Sequence, residues 1–306
     1  MNWTEKYRPK KIEEIVGQTK FTEDARTWRN KGDFPNLLLA GRPGTGKTTA
    51  SHVIGNEFLG DDKDSDFLEI NASQDRKLET VRQTITNFVN YGSVSDNKIK
   101  IVLLDEIEGM TRDSQRALKR TMERATNVRF IITCNDVYGV DEALRSRCAN
   151  YFFEPIDSYF VQDMLLEIAK KNDVMMALED VETLVEISGG DMRRAINELQ
   201  ACIYSGKTPK NLHRENIVPY KLCIQNALDN KHEESLDFLN RLVTAGHSVK
   251  DICNKLLQSV MNMDLDDSTK FMCIATVGEM EWRSRSVSPK VLIAWFCSQI
   301  MKNNRK

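Results

Sequence analysis

The sequence predicts a doubly wound α/β domain followed by helical domains, and two observations carry this prediction. In the first half of the chain, short runs rich in Val, Ile and Leu alternate with helical patterns, which is typical of a parallel sheet covered by helices. After the segment Glu154–Asp157 no strand signal remains, and helical periodicity takes over. We therefore expect an α/β domain, then a small helical domain, then a larger helical domain.

The elements of the α/β domain follow from these apolar runs and from the amphipathic segments between them. The predicted strands are Asn36–Ala40, Phe67–Ile70, Ile99–Leu104, Val128–Thr133 and Asn150–Phe153. The helical patterns between them are Thr48–Leu59, Leu78–Tyr91 and Asp113–Arg124.

The remaining half of the chain reads as helices. Asp157–Lys171, Glu179–Ile187 and Met192–Tyr204 form the predicted small domain, and the turn formers of Ser205–Asn211 form the next linker. Four or five further helices follow, the first at Tyr220–Leu228 and the last at Lys290–Met301. The predicted domains are residues 1–156, 157–208 and 209–306, since 306 residues are long for a single core.

Composition excludes some classes of protein. An apolar fraction of 41% and a charged fraction of 29% are those of a soluble globular chain, and no apolar run reaches membrane-spanning length. Seven scattered cysteines without a CxxC pair and four isolated histidines indicate reduced thiols rather than a metal site. The charged N-terminus lacks a signal core, so we expect a cytoplasmic protein, or a nuclear one in a eukaryote.

Residues Gly41–Thr48 fit the phosphate-binding pattern G-x-x-x-x-G-K-[ST] and stand between a predicted strand and a predicted helix. Glycines let backbone N–H groups turn inward around a phosphate at a positively polarised helix N-terminus. Lys47 is expected to reach the β- and γ-phosphates, and Thr48 to place its hydroxyl on Mg²⁺. The alternative is an ordinary Gly-rich turn. The predicted phosphate-site residues are Gly41, Arg42, Pro43, Gly44, Thr45, Gly46, Lys47, Thr48 and Thr49.

Two further strand ends carry polar residues that suit ATP hydrolysis. Asp105 ends the run Ile101–Leu104 and can orient Mg²⁺, while Glu106 is the predicted base that polarises the attacking water. Asn135 follows Val128–Thr133 and can hydrogen-bond the water or the γ-phosphate. The alternatives are a solvated strand end and a turn-capping amide.

With these motifs, the chain resembles the AAA+ ATPases and, among them, the small subunits of replication factor C, to which the clamp loaders of T4-like phages are related. The resemblance runs from residue 2 to about residue 204. It rests on Trp3–Lys10, Ile15–Gln18, Pro35–Thr49, Asn71–Ser73, Leu104–Glu106, Gln115–Glu123, Thr133–Asn135, Ser146–Cys148 and Gly190–Ile196. The chain departs from the family at Arg42, where proline is common, and at Gln74–Lys77.

The resemblance implies a fold, a function and roles for single residues. It implies a P-loop AAA+ domain, a helical lid and a helical collar, in an assembly of five subunits with a large subunit. That assembly uses ATP and Mg²⁺ to open a sliding clamp and load it onto primer–template DNA. The residues implied to hold the nucleotide are Thr4, Tyr7, Arg8 and Val16, with Asn135 and Arg193 as sensors of its phosphates.

The same resemblance makes Arg147 an arginine finger that acts in trans, on the γ-phosphate bound by a neighbouring subunit. A guanidinium is permanently charged and presents a planar fork of donors that fits phosphate oxygens. Such a residue contributes on the order of 10³–10⁵ in rate. The alternative is an arginine that is solvated or paired within its own subunit.

A basic helix is the predicted DNA contact. Arg112, Arg116 and Arg120 recur every four residues and line one face, and Lys77 and Arg82 can extend it. The alternative is a solvated charged face, and Asp113 and Glu123 can pair some of these arginines. The resemblance gives Gln115 a role in coupling DNA contact to the ATP site.

Two alternatives to a clamp-loader ATPase stay open at this point. One is another AAA+ DNA-remodelling ATPase, such as a branch-migration helicase, which normally ends in a winged-helix domain. The other is a mainly structural ring subunit that donates its arginine finger. The intact set of Lys47, Thr48, Asp105 and Glu106 favours an active enzyme over a structural subunit.

Overall fold

The structure is a computed structural model that describes residues 2–72, 78–90, 99–125 and 127–303. Its strands are β1 (Leu37–Gly41), β2 (Phe67–Asn71), β3 (Lys100–Asp105), β4 (Val128–Cys134) and β5 (Ala149–Phe153). Its helices are α1 (Trp3–Lys6), α2 (Thr19–Lys31), α3 (Lys47–Leu59), α4 (Lys63–Asp66), α5 (Leu78–Asn90), α6 (Arg112–Arg124), α7 (Glu142–Arg145), α8 (Ser158–Lys171), α9 (Leu178–Ser188), α10 (Met192–Ser205), α11 (Pro209–Leu228), α12 (His232–Thr244), α13 (Val249–Met261), α14 (Asp267–Arg283) and α15 (Pro289–Asn303).

The five strands form one parallel sheet in the order β2-β3-β4-β1-β5. Every predicted strand is present with its ends shifted by no more than one residue, which confirms the α/β prediction. The carboxyl ends of β1, β3 and β4 lie side by side at one edge of the sheet. Ligands of open parallel sheets bind at this edge.

The sheet is buried on both faces, as its near-continuous apolar strands predict. Successive residues of a strand point to opposite faces, so Leu38 joins one hydrophobic cluster and Leu37 the other. Residues from α5 and α6, including Ile85 and Leu118, cover the first face. Residues from α2 and α3, including Phe21, cover the second.

The chain divides into two compact units, Met1–Pro209 and Lys210–Lys306. In the first unit, α8, α9 and α10 pack together through buried residues such as Leu165, Leu184 and Leu199. The second unit is helical throughout its described part, with a core that includes Ile224 and Phe296.

The structure differs from the sequence prediction at several helices. Helix α2 was not predicted; Phe21, Ala25 and Trp28 at helical spacing and Gly32, which ends the helix with a φ of 72°, are the signals that mark it. The predicted linker Ser205–Asn211 is wrong beyond Thr208, because α11 begins at Pro209.

Helix α11 also contains Pro219, although the sequence predicts a helix that begins only at Tyr220. A proline interrupts the hydrogen bonding of a helix. The helix nevertheless continues, since Tyr220, Cys223, Ile224 and Ala227 recur at helical spacing and are buried in the core of the second unit. Among the described residues, no helix is long and apolar enough to cross a membrane.

Candidate active site

A cavity of about 460 Å³ lies at the carboxyl edge of the sheet. Its wall is built from the N-terminal segment, the loop after β1, the ends of β3 and β4, and the start of α10. The sequence-predicted residues that line it are Thr4, Tyr7, Arg8, Val16, Pro43, Gly44, Thr45, Gly46, Lys47, Thr48, Thr49, Asp105, Glu106, Asn135 and Arg193. Gly41 and Arg42 lie outside this lining.

The loop between β1 and α3 needs glycine at two positions. Gly44 and Gly46 have φ values of 75° and 98°, in the left-handed region that residues with a side chain rarely adopt. A Cβ on Gly44 would also come within 1.7 Å of Asp191 Oδ1. Because the loop ends at the N-terminus of α3, it presents the unpaired N–H groups and partial positive charge of a helix start to a phosphate.

Lys47 is buried beneath this loop and reaches from β1 to β4. Its Nζ donates to the carbonyl oxygens of Gly41 at 2.7 Å and Arg42 at 2.9 Å, and to Oδ1 of Asn135 at 3.0 Å. Burial is the main cause that lowers the pKa of Lys47, and the negative groups around it, Glu108 among them, work in the opposite direction. The lysine ammonium is thus held at the cavity wall, within reach of a bound phosphate.

Thr48, Asp105 and Thr133 form a second cluster. The hydroxyls of Thr48 and Thr133 donate to Oδ1 of Asp105 at 3.1 and 2.5 Å. Thr133 Oγ1 accepts from the backbone N–H of Glu106 at 3.1 Å, and Glu106 has a φ of 57°. A non-glycine residue in this region is held there by its surroundings, often at functional sites. No role is assigned to Thr133 from the sequence. Its position as a polar residue at the end of the apolar run Val128–Thr133 could have marked it as a site residue.

The cluster fits a magnesium ion. Mg²⁺ binds one or two protein oxygens and completes its shell with phosphate oxygens and water. The Thr48 hydroxyl and the Asp105 carboxylate are such oxygens and lie in contact. Within the described ranges, no group of three or more His, Cys, Asp or Glu side chains could hold a metal by itself.

Glu108 anchors the loop after β4 and was missed at the sequence level. Its Oε1 accepts from the backbone N–H of Asn135 at 2.8 Å, so the end of β3 and the end of β4 are fixed to each other. The Asn135 amide then points to Lys47. Only its spacing after Asp105 could have suggested Glu108, since the contact joins residues 27 positions apart.

The start of α10 forms part of the cavity wall. Met192 donates its backbone N–H to Gly44 O at 3.1 Å, and Asp191 caps α10 through Arg194 N at 2.9 Å. Arg193, one residue further, lines the cavity. The predicted second sensor therefore lies on a helix that touches the phosphate-binding loop directly.

The N-terminal segment is tied to the helices α8 and α10. Trp3 is buried; its backbone N–H donates to Gln200 Oε1 at 3.1 Å and its ring packs edge-on against Tyr204. The Tyr7 hydroxyl accepts from Asn172 Nδ2 at 2.8 Å. The segment that lines the cavity near Arg8 is thereby attached to the end of α8 and to α10, the helix that carries Arg193.

Gln115 is completely buried in α6 and joins three segments. Its Nε2 donates to the carbonyl oxygens of Ile107, Met110 and Gly139, and its Oε1 accepts from Asp141 N at 2.7 Å. The segment after Glu106, the loop after β4 and the start of α7 therefore all meet at one side chain.

Arg147 lies outside the described lining of the cavity, at the surface beyond α7. Its Nε donates to Glu123 Oε1 at 3.0 Å, its Nη2 contacts the same oxygen, and its Nη1 donates to Ala143 O at 3.0 Å. Its side chain is 30% exposed. The arginine is thus paired within its own chain, with a glutamate that lies 24 positions away.

The predicted DNA-contact residues are partly described. Arg112, Arg116 and Arg120 are exposed along α6, and Arg116 donates to Asp141 Oδ2 at 3.0 Å, with Asp113 at 3.7 Å. The paired acids therefore include Asp141, which was not foreseen. Lys77, together with the departure at Gln74–Lys77, and the side chain of Arg82 lie outside the described residues.

Comparison with known proteins agrees with this geometry. Residues 37–156 match the ATPase family associated with various cellular activities (AAA). The chain is 35% identical to the replication factor C small subunit of Archaeoglobus fulgidus over 92% of this chain and 91% of that protein. It is 33% identical to that of Methanocella arvoryzae over 97% and 96% of the two chains. The chain belongs to the replication factor C small-subunit family.

Replication factor C small subunits are clamp-loader ATPases, so this chain binds a nucleotide, hydrolyses ATP and works with other subunits of a clamp loader. Solved structures agree on the fold. The Thermotoga maritima RuvB Holliday junction branch migration motor matches with a TM-score of 0.57 at 16% identity, over 82% of this chain and 85% of that one. At that identity, the likeness concerns the AAA+ fold alone.

Proposed function

We propose that this subunit hydrolyses ATP in a composite site, to which a neighbouring subunit contributes Arg147. One observation carries the proposal. The cavity gathers the residues of a nucleotide site, including Lys47, Thr48, Glu106 and Asn135, whereas Arg147 lies outside its described lining, at the surface of the same unit. An arginine can bind phosphate, and this one does not line the cavity of its own chain. Its position is therefore consistent with binding to a phosphate in the site of a neighbouring subunit.

Within one chain, the residues divide the work by position. Lys47 neutralises charge on the phosphates, and Asn135, held by Glu108, orients the γ-phosphate or the attacking water. Glu106 polarises that water as it attacks phosphorus. Thr48 and Asp105 would hold Mg²⁺, which supplies charge neutralisation of the phosphate oxygens when bound.

The start of α10 is proposed to report on the nucleotide. Arg193 lines the cavity, and the backbone of Met192 is bonded to Gly44 in the phosphate loop. We assign residues 157–208 as the lid and residues 209–306 as the collar through which subunits join. The lid assignment is supported by these contacts, and the collar assignment by the helical second unit.

DNA contact is proposed for the exposed arginines of α6. Arg112, Arg116 and Arg120 offer permanent charges on one face, which suits sequence-independent binding to the phosphates of primer–template DNA. Gln115, on the buried side of the same helix, is bonded to Ile107 in the segment after Glu106. Movement of α6 on DNA binding would therefore shift the segment that follows Glu106 in the hydrolysis site.

In this proposal, five such subunits, including a large subunit, surround DNA and hold a sliding clamp open while ATP is bound. The branch-migration alternative is weakened by the second unit, because its described part contains helices and no strand. The structural-subunit alternative is weakened by the complete set of hydrolytic residues, from Lys47 to Glu106, in one cavity.

The decisive experiment measures ATP turnover of the assembled complex with and without clamp and primed DNA. Arg147→Ala is expected to keep nucleotide affinity and to lose the clamp- and DNA-stimulated turnover by on the order of 10³-fold at the affected sites. Undiminished turnover in the assembled variant would contradict the composite site. Full-speed hydrolysis by the isolated monomer would contradict it as well.

DNA contact has its own test, a salt titration of DNA affinity. Replacing Arg112 and Arg116 should reduce the slope of log affinity against log salt by about one for each lost phosphate contact. An unchanged slope would count against this face of α6.

A further inference from the structure

The guanidinium of Arg147 is fixed inside its own chain by two acceptors on different elements. Nε and Nη2 both bond to the single oxygen Oε1 of Glu123 on α6, and Nη1 donates to the carbonyl oxygen of Ala143 on α7. A guanidinium carries five N–H donors in one plane. Three of its groups are therefore engaged, and the plane and direction of the fork are determined before any neighbour is present.

Glu123 makes this contact although a nearer arginine competes for it. Arg120 lies three residues earlier on the same face of α6, where i,i+3 side chains are neighbours. An acid that follows its basic partner along a helix is the less favourable order for such a pair. The carboxylate instead bonds to Arg147, 24 positions away in the chain.

The exposure of the Arg147–Glu123 pair indicates a role in side-chain geometry rather than in folding stability. The side chains of Arg147 and Glu123 are 30% and 46% exposed. Ion pairs this exposed add little to folding stability. Their geometric effect is larger, since two bonds to one oxygen and a third to a backbone carbonyl restrict a side chain with four rotatable bonds.

We propose that Glu123 is a positioning residue for the arginine finger, holding the guanidinium of Arg147, which follows α7, in the orientation that a neighbouring subunit's phosphate requires. This inference rests on the proposed function of Arg147. An arginine ordered before assembly loses less conformational freedom when the composite site closes. Two N–H donors stay available for phosphate oxygens, while Glu123 does not itself touch the nucleotide.

The test compares variants in the assembled complex, with ATP, clamp and primed DNA supplied. Glu123→Gln keeps an acceptor oxygen without the charge and is expected to lower stimulated turnover about threefold; Glu123→Ala removes the acceptor and is expected to lower it about tenfold. Nucleotide affinity should stay unchanged in both. Glu142→Gln, which removes an exposed acid from the neighbouring α7, is the charge-matched control and should leave turnover unchanged.

A double-variant comparison separates positioning from a general structural effect. In the Arg147→Ala background, Glu123→Ala should lower turnover no further, because the residue it orients is already gone. A second readout uses the isolated chain. In an arginine side-chain NMR spectrum, the Nε–H signal of Arg147, assigned by its loss in Arg147→Lys, should exchange with water several-fold faster in Glu123→Ala.

The outcomes distinguish this inference from the function on which it rests. If Arg147→Ala leaves stimulated turnover intact, the composite site is wrong and the inference fails with it. If Arg147→Ala abolishes stimulated turnover but the Glu123 variants turn over ATP at least as fast as Glu142→Gln, the role of Arg147 as arginine finger is supported and the positioning role of Glu123 is wrong. A further loss from Glu123→Ala in the Arg147→Ala background would likewise overturn it.

Discussion

Truncation of Gln115 is the sharpest test of how the hydrolysis site is held together. The side chain is fully buried; its two amide N–H groups are shared among the carbonyls of Ile107, Met110 and Gly139, and its oxygen accepts the N–H of Asp141. Gln115→Ala leaves the carbonyls of Met110 and Gly139 and the N–H of Asp141 without this partner, in a place where the side chain itself has no access to water, whereas the Ile107 carbonyl still accepts from Met110 N. The variant should therefore destabilise the first unit rather than act only on catalysis.

The size of the effect follows from the cost of unpaired buried groups. Each costs about 1–3 kcal/mol when nothing replaces its partner. Water entering the space left by the truncated side chain would restore some of these bonds, so we expect a total of about 2–4 kcal/mol. For a unit the size of Met1–Pro209, each kcal/mol lowers Tm by roughly 2–4 °C, so Tm should fall by roughly 4–16 °C.

Thermal unfolding of the purified chain, followed by calorimetry, measures this loss. Gln83→Ala is the matched control, because Gln83 is exposed on α5 and its truncation should change stability by less than about 0.5 kcal/mol. Gln115→Glu is a third variant for this comparison. It keeps the oxygen that accepts from Asp141 N but replaces the amide N–H donors with an oxygen that faces the carbonyl groups. If Gln115→Ala unfolds at the temperature of Gln83→Ala, the hydrogen-bonding argument is refuted.

Three further predictions concern separate parts of the first unit. Lys47→Met should reduce ATP turnover by at least about 10²-fold while leaving the far-UV circular dichroism spectrum unchanged, because a phosphate-site charge is lost without loss of the fold. The hydrogen bond from Arg129 is the main cause that lowers the pKa of Asp33 from its ordinary value of 3.8. The pair therefore stabilises the fold at pH values above 3.8, and this contribution is lost as the pH falls through the lowered pKa. Asp33→Asn should therefore cost about 0.5–1 kcal/mol at pH 7 and nothing in strong acid, as measured by urea unfolding. Burial raises the pKa of the Cys134 thiol to about 12, so mass spectrometry should find it alkylated by iodoacetamide at pH 8 roughly three orders of magnitude more slowly in the native than in the unfolded chain.

The sheet and the phosphate loop could be predicted from the sequence because their signals are local. A buried parallel strand appears in the sequence as a short apolar run. In the phosphate loop, Gly44 and Gly46 mark the backbone positions that need glycine, and Lys47 marks the position of the charge. Asp105 and Asn135 were predicted for the same reason, as polar residues at the ends of such runs.

The contacts that fix these residues relative to one another could not be predicted, because they join distant positions. Glu108 bonds to Asn135 across 27 positions, and Glu123 bonds to Arg147 across 24. For residues this far apart in the chain, spacing does not indicate which carboxylate meets which donor in three dimensions. The family resemblance supplied a role for Arg147, but its intrachain partner had to come from the structure.

Helix α6 carries the exposed arginines, Glu123 and the buried Gln115, and helical periodicity explains how. Residues three and four apart share a face, so Arg112, Arg116, Arg120 and Glu123 follow one another along the exposed side, while Gln115 is turned about 100° away, into the core. A rigid shift of α6 would therefore displace Glu123, the partner of Arg147, at one end and the segment after β3, bonded to Gln115, at the other. In the proposed function, one subunit acts at two ATP sites, its own and that of a neighbour. Under the proposed function, Gln115 acts on the subunit's own site and Glu123 on the neighbour's site. A complex in which one subunit carries Glu123→Ala should therefore lose activity about tenfold at the neighbour's site and keep the activity of its own.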